Sequence, residues 1–214
     1  MTFAAMFSAA LPIGIGATVV MDLWGLLLRR LGVATLNFAM VGRWAGHLLH
    51  GRVRHQAIAK AEPVRHELAL GWGIHYAIGV LFAMLLVVIV GEGWLLEPTL
   101  LPALVVGVGT AVAPLCFMQP AMGAGFFASR TPTPARNCLK SLATHCMFGV
   151  GLFLSADLLA LVQGPRGQSE RMISMPAISS TKANPAPMLN GIKASQGEDS
   201  LSLRISSASI SASL

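Results

Sequence analysis

The sequence predicts an all-α, polytopic membrane protein: a four-transmembrane-helix bundle with an amphipathic cytoplasmic loop helix and a disordered C-terminal tail. Apolar residues make up 54% of the 214 residues and charged residues only 11%, whereas an ordinary soluble domain carries about 25%. So few charges cannot cover a water-facing surface. The apolar residues are also clustered, because four segments contain no Asp, Glu, Lys or Arg: 1–21, 68–91, 98–129 and 141–156.

Each uncharged segment predicts one transmembrane helix. A helix rises about 1.5 Å per residue and the hydrocarbon core of a bilayer is about 30 Å thick, so about 20 apolar residues cross it. The fourth segment is long enough if its helix continues past Asp157. We place the spans at about 3–28, 70–90, 100–119 and 141–162, which together form a membrane domain over 1–163.

The basic residues predict the orientation of these spans. The N-terminal end and the short loop at 91–99 contain none, whereas the first and third loops contain Arg29, Arg30, Arg43, Arg52, Arg54, Lys60, Arg65, Arg130, Arg136 and Lys140. Because Lys and Arg accumulate in cytoplasmic loops, we expect an outside N-terminus and inside loops at 29–69 and 120–140. Arg166 and Arg171, which follow the last span, favour the opposite orientation but are outnumbered.

The first loop and the C-terminal segment have distinct compositions. Leu36, Met40, Trp44 and Leu48 recur every four residues, which predicts an amphipathic helix over 34–50 at the cytoplasmic interface. From Gly164 onward Ser, Pro, Asn and small residues dominate, which predicts a disordered Ser-rich tail over 164–214. The net charge of +6 is explained by contacts of the cytoplasmic loops with anionic lipid, so no nucleic-acid partner is expected.

Small residues recur at four-residue spacing in every span, and three of these stripes carry an ionisable side chain. Small residues allow close approach of helices in lipid. In the predicted orientation Asp22, His75 and His145 fall at a similar depth, close to the inner boundary, and Gln119 at the inner end of the third span can join them. These four residues form the predicted intramembrane polar cluster. The stripes are Ala10, Gly14, Thr18 and Asp22; Gly71, His75, Gly79 and Ala83; Ala103, Gly107 and Ala111; Ser141, His145 and Gly149.

A charge in hydrocarbon is costly unless it is paired, so Asp22 requires a partner and a histidine is the obvious candidate. One interpretation is a site for a proton, an ion or a metal. The other is a hydrogen-bonded contact that only fixes the register of the helices. Two histidines and a carboxylate match a facial-triad metal site, so Asp22, His75 and His145 are also candidate metal ligands. Further candidate ligands lie in the first loop, at His47, His50, His55 and His66.

An ordered series of motifs resembles a bacterial inner-membrane family known as domain of unknown function 2938. The resemblance covers about residues 5–160 and implies a bacterial multi-pass membrane protein, without an activity, a substrate or catalytic residues. The motifs are Gly16-Ala17-Thr18-Val19-Val20-Met21-Asp22-Leu23-Trp24, Gly42-Arg43-Trp44 with His47, Gly51 and His55, Leu70-Gly71-Trp72 with His75-Tyr76, and Gln119-Pro120-Ala121-Met122-Gly123.

These observations leave three classes of function open. The leading hypothesis is a small membrane binding or transport component that handles a proton, an ion or a small polar solute at the polar cluster. With only four helices, such a carrier is expected to form a homodimer. The alternatives are a membrane-embedded enzyme or metal-binding protein that uses the histidine cluster, and a structural or assembly partner. The sequence lacks a G-x-S-x-G elbow, a P-loop and a G-x-G-x-x-G motif, so an enzyme is the less favoured class.

Overall fold

The computed structural model describes residues 2–174 of the chain. These residues form helices joined by loops and contain no β-strand, which confirms the all-α fold class. Four helices are long and apolar enough to cross a membrane: Phe3–Arg30, Glu67–Val90, Leu100–Met122 and Pro134–Gly164. The helical elements are α1 (Phe3–Arg30), α2 (Phe38–Leu48), α3 (Glu67–Val90), α4 (Leu100–Gly109), α5 (Gln119–Met122) and α6 (Pro134–Ser174), with short 3-10 segments at Ile58–Lys60, Glu92–Leu95 and Phe126–Ala128.

The third span is not the continuous α-helix that its composition predicts. After α4 the chain turns at Thr110 and passes through a π-helical segment, Ala113–Met118, before α5. Pro114 lies in this segment, and a proline has no N–H with which to continue the helical hydrogen bonds. The Thr110 hydroxyl also donates to the carbonyl of Gly107, a side-chain bond of the kind that bends helices.

The small-residue stripes lie at the contacts between the spans, as the sequence predicts. A side chain at Gly14 of α1 would collide with the backbone of Gly79 and Val80 in α3, and one at Gly107 of α4 would collide with the backbone of Gly149 in α6. The helices are therefore packed backbone to backbone. Helix α1 lies between α3 and α6, and α6 also contacts α4, whereas α3 and α4 touch only slightly.

The two halves of the bundle differ in polarity. Around the Glu92–Leu95 segment the interior is a continuous apolar core, formed by Ala9, Ala10, Ile13, Ala17, Ala83, Leu86, Val87, Trp94, Leu95, Ala103, Val106, Phe148, Leu152 and Ala156. The polar residues of the spans lie beyond this core, toward the end at which α2 packs against α3. Only one half of the membrane domain thus has groups that can bind a polar species.

Helix α2 is shorter than the predicted 34–50 segment and buries a different face. The residues that contact the rest of the protein are Val41, Gly42, Arg43, Gly46 and His47. The apolar stripe of the sequence prediction faces outward instead, with Leu36 52% and Leu48 39% exposed. A helix that is polar toward the protein and apolar toward its surroundings is well suited to the edge of a membrane.

An ion pair fixes α2 to the beginning of α3. The Arg43 Nε and Nη2 atoms donate to the two carboxylate oxygens of Glu67 at 2.8 and 2.9 Å, and Arg43 Nη1 donates to the carbonyl of Ala61 at 3.1 Å. Glu67 also accepts a hydrogen bond from the Val64 N–H. Hydrogen bonding to Glu67 raises the pKa of Arg43 above its ordinary value, so the guanidinium stays charged at any physiological pH. The pair joins α2, the loop and α3 into one unit.

The predicted boundary of the tail at Gly164 falls within α6. Gly164 has φ 58° and ψ −172°, which breaks the helix, but helical backbone resumes and continues to Ser174. The helical backbone thus extends beyond the predicted end of the membrane domain. The rest of the predicted disordered tail, 175–214, lies outside the described residues.

Candidate functional site

Asp22 and His75 meet within the bundle, on α1 and α3. The His75 Nε2 atom lies 3.0 Å from Asp22 Oδ1, and the Tyr76 hydroxyl donates to Asp22 Oδ2 at 3.0 Å. The side chains of Asp22 and His75 are 22% and 16% exposed. Both oxygens of the carboxylate thus accept a hydrogen bond from α3, which is how a carboxylate becomes tolerable among apolar helices.

The geometry fixes the tautomer of His75. Because a carboxylate only accepts hydrogen bonds, Nε2 must carry the hydrogen, and the lone pair of the neutral ring is then on Nδ1. Among the described residues Nδ1 has no hydrogen-bond partner. A proton added at Nδ1 would create an imidazolium paired with the Asp22 carboxylate. The chemical capacity of this arrangement is therefore reversible protonation.

Aromatic rings enclose this pair. The ring of Phe38, at the beginning of α2, lies 4.4 Å from the His75 ring and 4.3 Å from the Trp72 ring, centroid to centroid. Tyr76 lies 6.2 Å from Trp72. Aromatic faces attract cations, so this enclosure favours the protonated form of His75. It also couples the site to α2.

His145 and Gln119 are not hydrogen-bonded to the Asp22–His75 pair. His145 is 9% exposed, and its Nδ1 atom lies 3.1 Å from the hydroxyl oxygen of Thr110. That hydroxyl donates to Gly107, so its oxygen accepts from Nδ1–H. The Gln119 Oε1 atom is buried without a hydrogen-bond partner in the described part of the chain. The predicted cluster is therefore two separate groups, Asp22 with His75 and His145 with Thr110, and one unpartnered amide oxygen.

The predicted metal site is not assembled. Within residues 2–174, no three His, Cys, Asp or Glu side chains are grouped so that they could hold a metal ion. The set Asp22, His75 and His145 fails because His145 is bonded to Thr110 instead of converging with the other two. The His75 nitrogen nearest Asp22 also carries a hydrogen, so it cannot act as a ligand.

The loop histidines have structural partners at the end of α2. His47 Nε2 lies 2.9 Å from the Glu62 carbonyl, and His50 Nδ1 lies 2.9 Å from the Gly46 carbonyl. The His55 ring packs edge-on against His47 with a centroid distance of 5.0 Å, and both of its nitrogens are buried without a described partner. His66, the remaining candidate, precedes α3 in a left-handed conformation with φ 57°.

Sequence reasoning missed three contributors to these contacts. Tyr76 is the only tyrosine of the chain and follows His75 directly, which could have marked it as a second donor to Asp22. Thr110 carried no comparable signal, because a threonine in a span is commonly bonded to its own helix. The Arg43–Glu67 pair joins residues far apart in sequence, and nothing in the spacing of either residue indicates the other.

Comparison with known proteins gives one match. A family model described as "Protein of unknown function (DUF2938)" matches residues 11–159, which include α1 to α5 and the membrane-spanning part of α6 through Leu159. No curated protein and no solved structure is significantly similar to the chain. The match confirms the resemblance found in the sequence motifs.

Proposed function

Since the chain belongs to the family described as "Protein of unknown function (DUF2938)", which names no activity, we propose a function from the geometry: a membrane transport component that binds a proton at the Asp22–His75 pair. The observation that carries the proposal is the hydrogen bond between His75 Nε2 and Asp22 Oδ1, at 3.0 Å within the membrane-spanning region. Ionisable side chains inside a membrane commonly mark pathways of protons and ions.

A proton suits this site better than a metal ion or a larger solute. Both Asp22 oxygens already accept hydrogen bonds, from His75 and Tyr76, and no metal-binding group of three side chains is found among the described residues. The position left open is His75 Nδ1, and a nitrogen lone pair on a histidine is a good proton acceptor. Tyr76 keeps the carboxylate in place when the imidazole changes its protonation state.

The apolar half of the bundle gives this component a direction. Proton exchange at His75 takes place from the polar half, since the core around Phe148, Leu86 and Leu152 supplies no polar group for a proton. Release on the other side requires a second arrangement of the helices, as in alternating access. The slight contact between α3 and α4 makes this pair of helices the place to separate. Two such chains in a homodimer would supply the helix number that a carrier needs.

The basic loops support a placement in the membrane. We propose a bacterial inner membrane, with the N-terminus outside and α2 on the cytoplasmic face, because the loops flanking the polar half contain most of the Lys and Arg residues. The proton site then faces the cytoplasm in the described conformation.

Proton flux into proteoliposomes tests the proposal. The full chain is reconstituted with a pH-sensitive dye inside, and a potassium gradient with valinomycin supplies the driving voltage. We expect acidification above that of protein-free vesicles, and a rate lower by at least about tenfold in Asp22→Asn. Asp157→Asn is the matched control, because it makes the same chemical change in another span, at a carboxylate without a described partner. Equal rates in wild type and Asp22→Asn, or no flux above protein-free vesicles, would contradict the function.

A further inference from the structure

A pocket of about 330 Å³ lies where α2 ends and the chain approaches α3, apart from the proton site. Its lining residues are Gly46, His47, His50, Arg52, Glu62, Pro63 and Val64. The Val64 side chain packs directly on Gly46, where a Cβ atom would collide with it. This volume is within the range of sites for small molecules.

The pocket carries one free charge of each sign. Arg52 and Glu62 are exposed, and neither forms an ion pair with a described residue. The Arg52 side chain is therefore available to an anion, and a guanidinium binds phosphate particularly well. The Glu62 carboxylate is available to a cation. A ligand with a single charge would satisfy one of these side chains and oppose the other.

The two histidines add acceptors on the cationic side. His47 Nε2 donates to the Glu62 carbonyl and His50 Nδ1 donates to the Gly46 carbonyl, since a carbonyl oxygen only accepts. The neutral rings therefore keep lone pairs at His47 Nδ1 and His50 Nε2, neither of which has a described partner. His47 is only 8% exposed, so its position is fixed by packing.

We propose that this pocket binds a phosphate ester of a primary amine, with the ammonium group on Glu62 and the imidazole lone pairs and the phosphate on Arg52. An ammonium group with three N–H donors matches the carboxylate and the two acceptors. The phosphate matches the guanidinium, and the ligand as a whole is close to neutral, as the pocket is.

The surroundings of the pocket indicate a lipid headgroup as the source of this chemistry. Leu48 and Leu49, between the two lining histidines, are 39% and 83% exposed, and α2 presents its apolar stripe outward. A lipid whose acyl chains lie along this stripe would place its phosphoethanolamine headgroup at the end of α2. Binding there would hold α2, and with it Phe38, against α3.

Lipid selectivity of the purified full-length protein tests the proposal. Native mass spectrometry is carried out with phosphatidylethanolamine, phosphatidylcholine and phosphatidylglycerol of identical acyl chains. Choline carries the same phosphate but no N–H donor, and the glycerol headgroup has no cation. We expect phosphatidylethanolamine to be retained about tenfold better than either. Equal retention of the three lipids would overturn the proposal.

Two variants and their controls locate the binding. Glu62→Gln should remove the preference for ethanolamine over choline, and Arg52→Gln should weaken retention of both phospholipids. Glu97→Gln and Arg54→Gln change exposed residues outside the pocket and should behave like wild type. A preference that survives in Glu62→Gln would place the lipid elsewhere and contradict the assignment.

A soluble ligand of the same chemistry is distinguished in a parallel measurement. O-phosphoethanolamine is added to the detergent-purified protein and the melting temperature is followed, since a ligand that binds only the folded state raises it. Stabilisation by the soluble compound, lost in Glu62→Gln and without selective lipid retention, would support the site with a free ligand. The absence of both effects would refute the site.

Discussion

The ring of Phe38 lies against the imidazole of His75, with centroids 4.4 Å apart and planes inclined by 35°. Phe38 is the first residue of α2, so the loop helix covers the proton site directly. The close approach depends on Gly71, one turn before His75, because the Phe38 carbonyl occupies the place where a side chain at Gly71 would be. Gly42 makes the reciprocal contact with the backbone of Glu67.

Gly71→Ala should therefore destabilise the protein and displace α2. The added methyl group meets backbone atoms of Phe38, which cannot move independently of α2, so we expect a loss of about 1–3 kcal/mol or more. Gly73→Ala is the control, because a Cβ atom at Gly73 has no neighbour within 4 Å. Thermal unfolding in detergent compares the two variants. Equal melting temperatures would show that α2 does not pack on α3 in this way.

Arg43→Lys should lower the melting temperature by several degrees. Lysine cannot form the two-pronged pair with Glu67 or reach the carbonyl of Ala61 at the same time, and Arg43 is only 8% exposed. Arg65→Lys makes the same change at an exposed arginine without a described partner and should leave the melting temperature nearly unchanged. An equal effect of the two substitutions would show that the ion pair does not stabilise α2.

The sequence was sufficient for the spans and for one contact in the site. Helix length and the absence of charge determine which segments can cross a membrane, so the ends of α1 and α3 differ by at most three residues from the predicted spans, 3–28 and 70–90. The cost of a carboxylate in hydrocarbon required a partner for Asp22, and a shared depth identified His75. Both arguments depend only on properties of single helices.

The rest could not be predicted because it depends on how the helices face each other. His145 lies at the predicted depth but its nearest hydroxyl, that of Thr110, is on α4, so it does not reach Asp22. The bend at Pro114 changes where Gln119 points, and its carbonyl oxygen ends without a described partner. The buried face of α2 was misjudged because Arg43 and His47 are polar, yet a specific acceptor compensates each of them.

The orientation can be tested with single-cysteine variants of a background in which Cys116, Cys138 and Cys146 are replaced. Arg54→Cys places a thiol in the exposed basic loop, and Glu97→Cys places one in the loop at 91–99. From outside intact cells, an impermeant maleimide should label position 97 and not position 54, since basic loops remain cytoplasmic. The reverse pattern would invert the topology and turn the proton site outward.

Asp22→Asn should change proton handling more than stability. The amide has nearly the shape of the carboxylate, but its NH₂ group faces one of the two donors, so about one hydrogen bond is lost, at a cost of about 0.5–1.5 kcal/mol. Asp22→Ala loses both bonds and should be less stable than Asp22→Asn. Protein yield and thermal unfolding measure this ranking. If the two variants unfold alike, His75 and Tyr76 do not depend on Asp22 for their hydrogen bonds.

The most direct test of the central claim is ¹⁵N nuclear magnetic resonance of the histidine rings in the full chain, reconstituted in lipid nanodiscs and followed as a function of pH. His75→Gln identifies the His75 signals by their loss. We predict that neutral His75 carries its hydrogen on Nε2 and takes up a proton on Nδ1, and that Asp22→Asn shifts this titration to lower pH, because the imidazolium loses its carboxylate partner, whereas Asp157→Asn does not. A His75 that stays in one protonation state across the accessible pH range, or titrates identically without the Asp22 carboxylate, would contradict the proposal that this pair binds a proton.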